Sequence, residues 1–198
     1  MARTRASDYQ DKQRRILKAA AAAFATVGTE KASMAEIARR GGISKALLYH
    51  YYTGKDALIF DIVRTHLSDL DAALEGADRP SLPAEERLGI LVAAVLERYR
   101  DADDEHRVQL TCAGGLSGAQ TEALREIERR IVHRFSAVLA AINPELDAER
   151  PLLSPMTMSL FGVLNWAYLW FRDDGSLSRE DYARAVTALF LGGVGAVR

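Results

Sequence analysis

The chain has 198 residues, of which 48% are hydrophobic and 27% charged, with a formal net charge of −1. This is enough material for a sizeable core, and the balance excludes a disordered or fibrous polymer. The single cysteine, Cys112, leaves no disulfide within these residues and fits a reducing cytoplasm. The basic N-terminus leads into the alanines of 19–23 and has the outline of a leader peptide. Asp8, Asp11 and Lys18 interrupt it, however, and the apolar run is short. No stretch approaches the roughly 20 uncharged apolar residues that span a bilayer, so no membrane partner is expected.

Taken in chain order, Ile16, Ala20, Ala23, Phe24 and Val27 recur at helical spacing and predict a first amphipathic helix. Ser33 followed by Glu36 has the capping-box pattern and predicts a second, short helix. Small Ala38 permits close helix approach, and Gly42 supplies a turn at positive φ. Ser44 then caps a third helix, in which Ile43, Leu48 and Tyr51 fall where they can pack on Ile37 and Ala38. The exposed face of that helix offers Lys45, Ala46, Tyr49 and His50. Two short helices about a glycine turn form the unit that sets a helix into the major groove of DNA. An ordinary helical hairpin has the same local pattern. Charge separates the two: residues 1–55 carry 11 Lys+Arg against 4 Asp+Glu, whereas 56–198 carry 15 against 23. A basic head on an acidic body suits a phosphate backbone.

Asp56 opens a further helix with Leu58, Ile59, Ile62, Val63, Leu67 and Leu70, which ends before the two prolines of 76–83. Leu88, Leu91, Val92, Val95, Leu96 and Tyr99 mark the next helix over 85–101. After a Gly-rich turn at 113–116, Ser117 and Gln120 form a second capping box. The helix they open carries Ile127, Ile131, Phe135, Val138 and Leu139. Ser154 before Pro155 predicts a helix start, with its end near Gly175, and Ser178 caps a last helix through Tyr182, Val186, Leu189 and Phe190. No period-2 alternation and no internal repeat occur. The predicted fold is all-α, with about nine helices.

The residues from Leu48 to Leu58, LYHYYTGKDAL, resemble the end of the helix-turn-helix in TetR-like (TetR/AcrR) transcriptional regulators. Upstream, Ile16, Leu17, Ala19, Ala20, Phe24 and Gly28 are similar to that family's first helix, so the likeness covers roughly residues 12–60 without a gap. Two departures are Leu47, where many members carry Thr or Ser, and Tyr51, where many carry His. The resemblance implies a DNA-binding domain over 1–55 and a ligand-binding and dimerisation domain over 56–198. It also implies a homodimer through the last two helices, holding two heads about 34–36 Å apart on a pseudo-palindromic double-stranded operator. A terminal hairpin closing the monomer's own core would have the same apolar pattern. By the same carry-over, Lys45, Ala46 and His50 face base edges, while Ser33, Ser44, Tyr49, Tyr51 and Lys55 hold phosphates. Tyr52 belongs to the core. Arg3 and Arg5 form either a minor-groove arm or an unstructured tail.

A regulator of this kind takes a small-molecule effector in its body. The segment 156–172 holds both tryptophans around Asn165, and the string FGVLNWAYLWF is similar to a subset of the family that responds to acyl-coenzyme A thioesters. Tyr99, Phe135, Phe161, Asn165, Trp166 and Trp170 are the expected ligand-binding residues, an apolar aromatic lining with a few polar groups. An aromatic stripe at this spacing is equally the mark of core and dimer seam. Arg125, Arg129, Arg130, Arg134 and Arg172 offer cations for the thioester's phosphates. A free acid or a planar drug-like compound is the alternative effector. The expected mechanism is a repressor released when ligand shifts the heads out of register with the grooves. No catalytic setting surrounds Cys112, His106 or His133, and the four histidines lack metal-ligand spacing. No enzyme, cofactor or metal is therefore expected. A helical interaction protein that never touches DNA would leave the basic head without a purpose.

Overall fold

The structure, a computed structural model, describes residues 2–147 and 151–195. Among these residues it is all-α, with nine α-helices, three short 3-10 turns and no strand. The helices are α1 (Ala2–Lys31), α2 (Met34–Arg40), α3 (Lys45–Tyr51), α4 (Lys55–Ala77) and α5 (Ala84–Arg98), then α6 (Asp103–Cys112), α7 (Gly118–Ile142), α8 (Leu153–Trp166) and α9 (Arg179–Val194). They fall into two compact units. One takes the chain up to Leu67 together with Ala102–Leu124; the other takes Ser68–Asp101 together with the chain from Arg125 onwards. Helices α4 and α7 contribute to both.

The first unit is built on α1, which bends at Gly28 (φ 79°, ψ 160°), where a backbone open to glycine ends the long helical run. The periodic residues of α1 are inside up to Phe24: Ile16, Leu17, Ala20, Ala23 and Phe24 are buried, along with Ile37 and Ala38 of α2, Leu48 of α3, and Leu58 and Ile62 of α4. Val27 is the exception, lying exposed one residue before the bend. Helix α6 packs along α1, and Arg107 of α6 donates to the carbonyl of Ala25 at 3.3 Å. His66 of α4 and His106 of α6 are buried together, Nδ1 of His106 lying 3.4 Å from Nε2 of His66. The backbone at Arg3 and Arg5 is helical, but their side chains lie outside the described residues.

In the second unit α5 packs on α8 and α9, which also pack on each other. Leu88, Leu91, Val92, Val95 and Leu96 of α5 are buried as their spacing predicts, as are Phe135, Val138 and Leu139 of α7. Burying each such side chain contributes about 1.5–3 kcal/mol, which is why the apolar period dominates the fold. Asn143 ends α7: its Nδ2 donates to the carbonyl of Val194 at 2.9 Å, and its Oδ1 accepts from the amide of Glu145 at 3.0 Å.

Helix α8 departs from the predicted bounds. It starts at Leu153, so Ser154 sits exposed in the first turn and does not cap it. It also stops at Trp166, well short of Gly175, and tightens into a 3-10 turn over Ala167–Leu169. The cause is the packing of the next residues. Trp170 and Phe171 both turn onto Tyr182 of α9, with ring centroids 4.9 and 5.7 Å away. Their amides donate back to the carbonyl of Ala167, at 3.1 and 2.8 Å. Arg179 closes the connection: it is bidentate to Asp173 at 2.7 Å, donates to the carbonyl of Leu96 at 2.8 Å and lies over the Phe171 ring. Ser178 caps α9 as expected, accepting from the amide of Asp181 at 3.0 Å. The apolar pattern of the last helix also includes Val197, which lies outside the described residues.

Candidate DNA-reading surface and effector site

The α2–turn–α3 element follows from local chemistry. Ser33 caps α2, its Oγ accepting the amide of Glu36 at 3.2 Å. The reciprocal half of the predicted capping box is not made. The Glu36 carboxylate turns instead to Arg39 (2.7 and 2.9 Å) and Arg40 (2.9 Å), because charge-assisted bonds to guanidinium outweigh one to a neutral amide. The same bonds hold the Glu36 pKa down to about 2. Gly42 adopts φ +62°, the left-handed turn that ends α2 and leads the chain into α3. Ser44 then caps α3 by accepting the amide of Leu47 at 3.1 Å.

Helix α3 is held by its inner face. Leu48 is fully buried, and the Tyr52 ring beyond its end is inside too. The Tyr52 hydroxyl donates to Asp61 Oδ2 at 3.0 Å and accepts from Gln13 at 3.1 Å, and Gln13 also reaches Asp61 at 3.1 Å. Arg64 neutralises the other carboxylate oxygen at 2.9 Å. Burial pushes the Tyr52 hydroxyl above its ordinary pKa, so it stays a donor at every physiological pH. This network fixes the end of α3 against α1 and α4. Sequence reading identified Tyr52 as core but missed its partners, Gln13 and Asp61, which carry no local signal.

The outer face of α3 presents what the sequence assigned to it. Ser33, Ser44, Lys45, Ala46, Tyr49 and His50 are all exposed, and Tyr49 keeps 47% of its surface in solvent. The Lys45 ammonium lies 5.9 Å from the Tyr49 ring centroid, so the two share one side of the helix. Tyr51 is partly covered, stacked on Tyr9 of α1 at 4.8 Å, with His50 edge-on to it at 5.7 Å. Lys55 is tied down: its ammonium donates to the carbonyls of Thr29 (2.6 Å) and Glu30 (3.4 Å), at the end of α1. It is a clamp between α1 and α4 as well as a cation near the surface.

The six expected ligand residues separate into two groups. Tyr99 is buried, and its hydroxyl donates to Asn165 Oδ1 at 2.8 Å, joining the end of α5 to α8. Burial keeps that hydroxyl protonated. Phe135 and Phe161 are buried edge-to-face, 5.0 Å between centroids. Tyr99, Phe135 and Phe161 belong to the interior of the second unit, and half-buried Asn165 is tied to it through Tyr99. Trp166 and Trp170 do not join them: they are 60% and 50% exposed. One turn separates Asn165 from Phe161 on the inner side of α8, whereas Trp166 lies a further 100° around the helix and points out.

The arginines of α7 do come together. Arg125, Arg129, Arg130 and Arg134 line one open cleft of about 1030 Å³, with Arg87 of α5 and His133 beside them. Sequence reading missed Arg87 and His133, although Arg125, Arg129 and His133 stand at the i, i+4, i+8 spacing that places side chains in one row. Arg172 is elsewhere, exposed and 3.8 Å from Asp174. Among the described residues no group of His, Cys, Asp and Glu could hold a metal ion, and no helix is long and apolar enough to cross a membrane.

An all-α chain with a capped helix-turn-helix in its basic head has the architecture of the helix-turn-helix class of regulators. Residues 16–62 match the family model described as bacterial regulatory proteins, tetR family, and residues 81–194 match the tetracyclin repressor-like C-terminal domain. The chain belongs to the TetR family. Among solved structures it is similar to a TetR-family transcriptional regulator from Bordetella parapertussis 12822, 33% identical, covering 94% of this chain and 97% of that one with a TM-score of 0.85. It shares its fold with AibR, crystallised with isovaleryl coenzyme A and operator DNA, at 23% identity, 90% and 97% coverage and a TM-score of 0.77. Among curated proteins it is 32% identical over 100 residues to the HTH-type transcriptional regulator BetI of Brucella canis, half of each chain. The chain spans about half the length of the curated relatives it matches.

Proposed function

We propose that this protein is a cytoplasmic, homodimeric transcriptional repressor, without catalytic activity, that leaves a pseudo-palindromic operator when a small hydrophobic effector fills its body. Residues 1–55 read DNA and 56–198 take ligand and dimerise. The observation that carries the reading is the outer face of α3, where Lys45, Ala46 and His50 stand free for base edges on a helix whose inner face is locked. Lys pairs with guanine acceptors, and the Ala methyl suits a thymine methyl. Ser33, Ser44, Tyr49, Tyr51 and Lys55 flank this face, and phosphate contacts from them fix register without specifying sequence.

Dimerisation is supported by the surfaces of α8 and α9. Met158, Gly162 and Trp166 form an exposed row on α8 at i, i+4, i+8, and Ala185, Leu189 and Gly193 form one on α9. Leu189 is 64% exposed in a single chain, and a Cβ added at Gly162 or Gly193 meets nothing. Rows of this kind join two copies into a four-helix bundle.

The effector we propose is an acyl-coenzyme A thioester, its acyl group set among Tyr99, Phe135, Phe161 and Asn165, with Trp166 and Trp170 nearer the surface. AibR, which shares the fold, was crystallised with such a thioester. A free acid or planar compound is the competing ligand. The test is binding of the purified protein to DNA flanking its own gene, with and without a panel of thioesters, free acids and free coenzyme A. Specific binding that only a thioester abolishes supports the whole reading. Specific binding that no thioester disturbs keeps the regulator and discards the ligand.

A further inference from the structure

We infer that Tyr9 of α1 is a positioning residue for base reading: it fixes the ring of Tyr51, and Tyr51 in turn orients His50 towards a base edge. The inference rests on the reading above that the outer face of α3 meets DNA.

Helix α3 has seven residues, about two turns, too few to hold its own shape in water. Both of its ends are therefore fixed from outside. Ser44 caps the first. At the other end Tyr52 leaves the helix in an extended conformation, with φ −138° and ψ 124°. Tyr51 and Tyr52, adjacent in the chain, both reach α1, where Tyr9 and Gln13 stand at i, i+4 on one face. The two contacts differ in kind. Gln13 donates to the Tyr52 hydroxyl at 3.1 Å inside the network that ends on Asp61, and buried Tyr52 is scaffold. Tyr9 is half exposed, and its ring stacks on Tyr51 with centroids 4.8 Å apart and planes 26° from parallel.

From Tyr51 the contact passes to His50. Their rings stand 5.7 Å apart at 88°, the edge-to-face arrangement that aromatic quadrupoles favour. Neighbouring positions on a helix diverge by about 100°, so two such rings meet only when each side chain is turned towards the other. A tyrosine at the end of a short helix, with nothing against its ring, samples several rotamers. The Tyr9 stack removes that freedom before DNA arrives, so the ordering cost is not met at binding. What is ordered matters for sequence: the imidazole has two ring nitrogens, and their direction decides which base edge they meet. Tyr51 stands where many family members carry His, and its larger ring is the surface on which Tyr9 stacks.

The test compares wild type, Tyr9→Ala, Tyr9→Phe, His50→Ala and the double variant Tyr9→Ala/His50→Ala. Each is titrated with an operator obtained by unbiased selection, with single-base variants of it and with random-sequence DNA, at several salt concentrations. Thermal melts check the fold, and Tyr9→Leu replaces the alanine variant should that one melt early. Expected is a loss of about two- to tenfold in operator affinity for Tyr9→Ala, the worth of one aromatic pair. Base preference should relax at the same position as in His50→Ala, with random-sequence affinity and salt slope unchanged. Tyr9→Phe, which keeps the ring, should restore wild-type reading. In the double variant the loss of Tyr9 should cost nothing beyond the loss of His50. A loss in Tyr9→Phe as large as in Tyr9→Ala would make the hydroxyl a direct phosphate contact and overturn the positioning role. Equal losses on operator and random DNA, or additive losses in the double variant, would overturn it too. Base preference changed in His50→Ala but not in Tyr9→Ala overturns this inference alone. Base preference unchanged in His50→Ala removes His50 as a reader, and this inference with it.

Discussion

In α2 and α3 the large apolar side chains Met34, Ile37 and Leu48 are inside, and apart from the small Ala35 and Ala46 the exposed ones end in charge, hydroxyl or ring nitrogen. In α8 and α9 apolar side chains occupy both faces: Leu160, Phe161 and Leu164 are buried on one side of α8, while Met158 and Trp166 are exposed on another. The first pair is finished as a single chain and offers a polar face to a polar partner. The second is unfinished, because an apolar row in water is favourable only when covered. The two pairs therefore suit the two partners proposed above, one carrying phosphates and bases, the other a second copy of the same surface.

Substitutions can break or sharpen this contrast. The largest effect is expected from Leu48→Ala, which removes a fully buried side chain from beneath α3. It should cost about 2–5 kcal/mol and lower the thermal midpoint, with operator binding lost alongside. Leu189→Glu, on the exposed face of α9, should leave helicity intact and convert dimer to monomer in analytical ultracentrifugation; an unchanged dimer would move the interface elsewhere. Next comes the cap of α9. Ser178→Ala should cost about 1 kcal/mol in chemical denaturation, since the Asp181 amide loses its acceptor.

The smallest effect concerns acid. Glu36 has its pKa lowered by hydrogen bonds from Arg39 and Arg40, from 4.5 to about 2. Its contribution is therefore fully present above about pH 4.5 and is lost as pH falls towards 2. Glu36→Gln should flatten the slope of melting temperature against pH within that window and lower neutral stability by the same small amount, small because the pair is solvent-screened. An unaltered slope would show that the Arg39 and Arg40 bonds do not persist in solution.

Much of the head was legible in the sequence because its determinants are local. Ser33, Gly42 and Ser44 act within four residues of themselves, and Leu48 and Tyr52 obey the period of one helix. The Glu36 carboxylate was misread because a capping box and an i, i+3/i+4 ion pair use the same residue, and only the competition between them decides. The body was legible in its helices and less so in its surfaces. The end of α8 depends on Trp170 and Phe171 meeting Tyr182, a contact that no periodicity encodes. For the same reason Trp166 and Trp170 looked like a lining beside Asn165, yet they lie on the outside. The α7 cleft also takes Arg87 of α5, which comes from a distant part of the chain.

The central claim, that the outer face of α3 reads DNA, is tested most directly by comparing wild type with Lys45→Ala on an operator obtained by unbiased selection of binding sites. Lys45 is exposed and supports no fold contact beyond the Tyr49 ring, so stability should not change. The account predicts a loss of about 1–3 kcal/mol in operator affinity, with relaxed base preference at one position in each half-site. Unchanged affinity and unchanged base preference would contradict it and remove α3 as the reading helix.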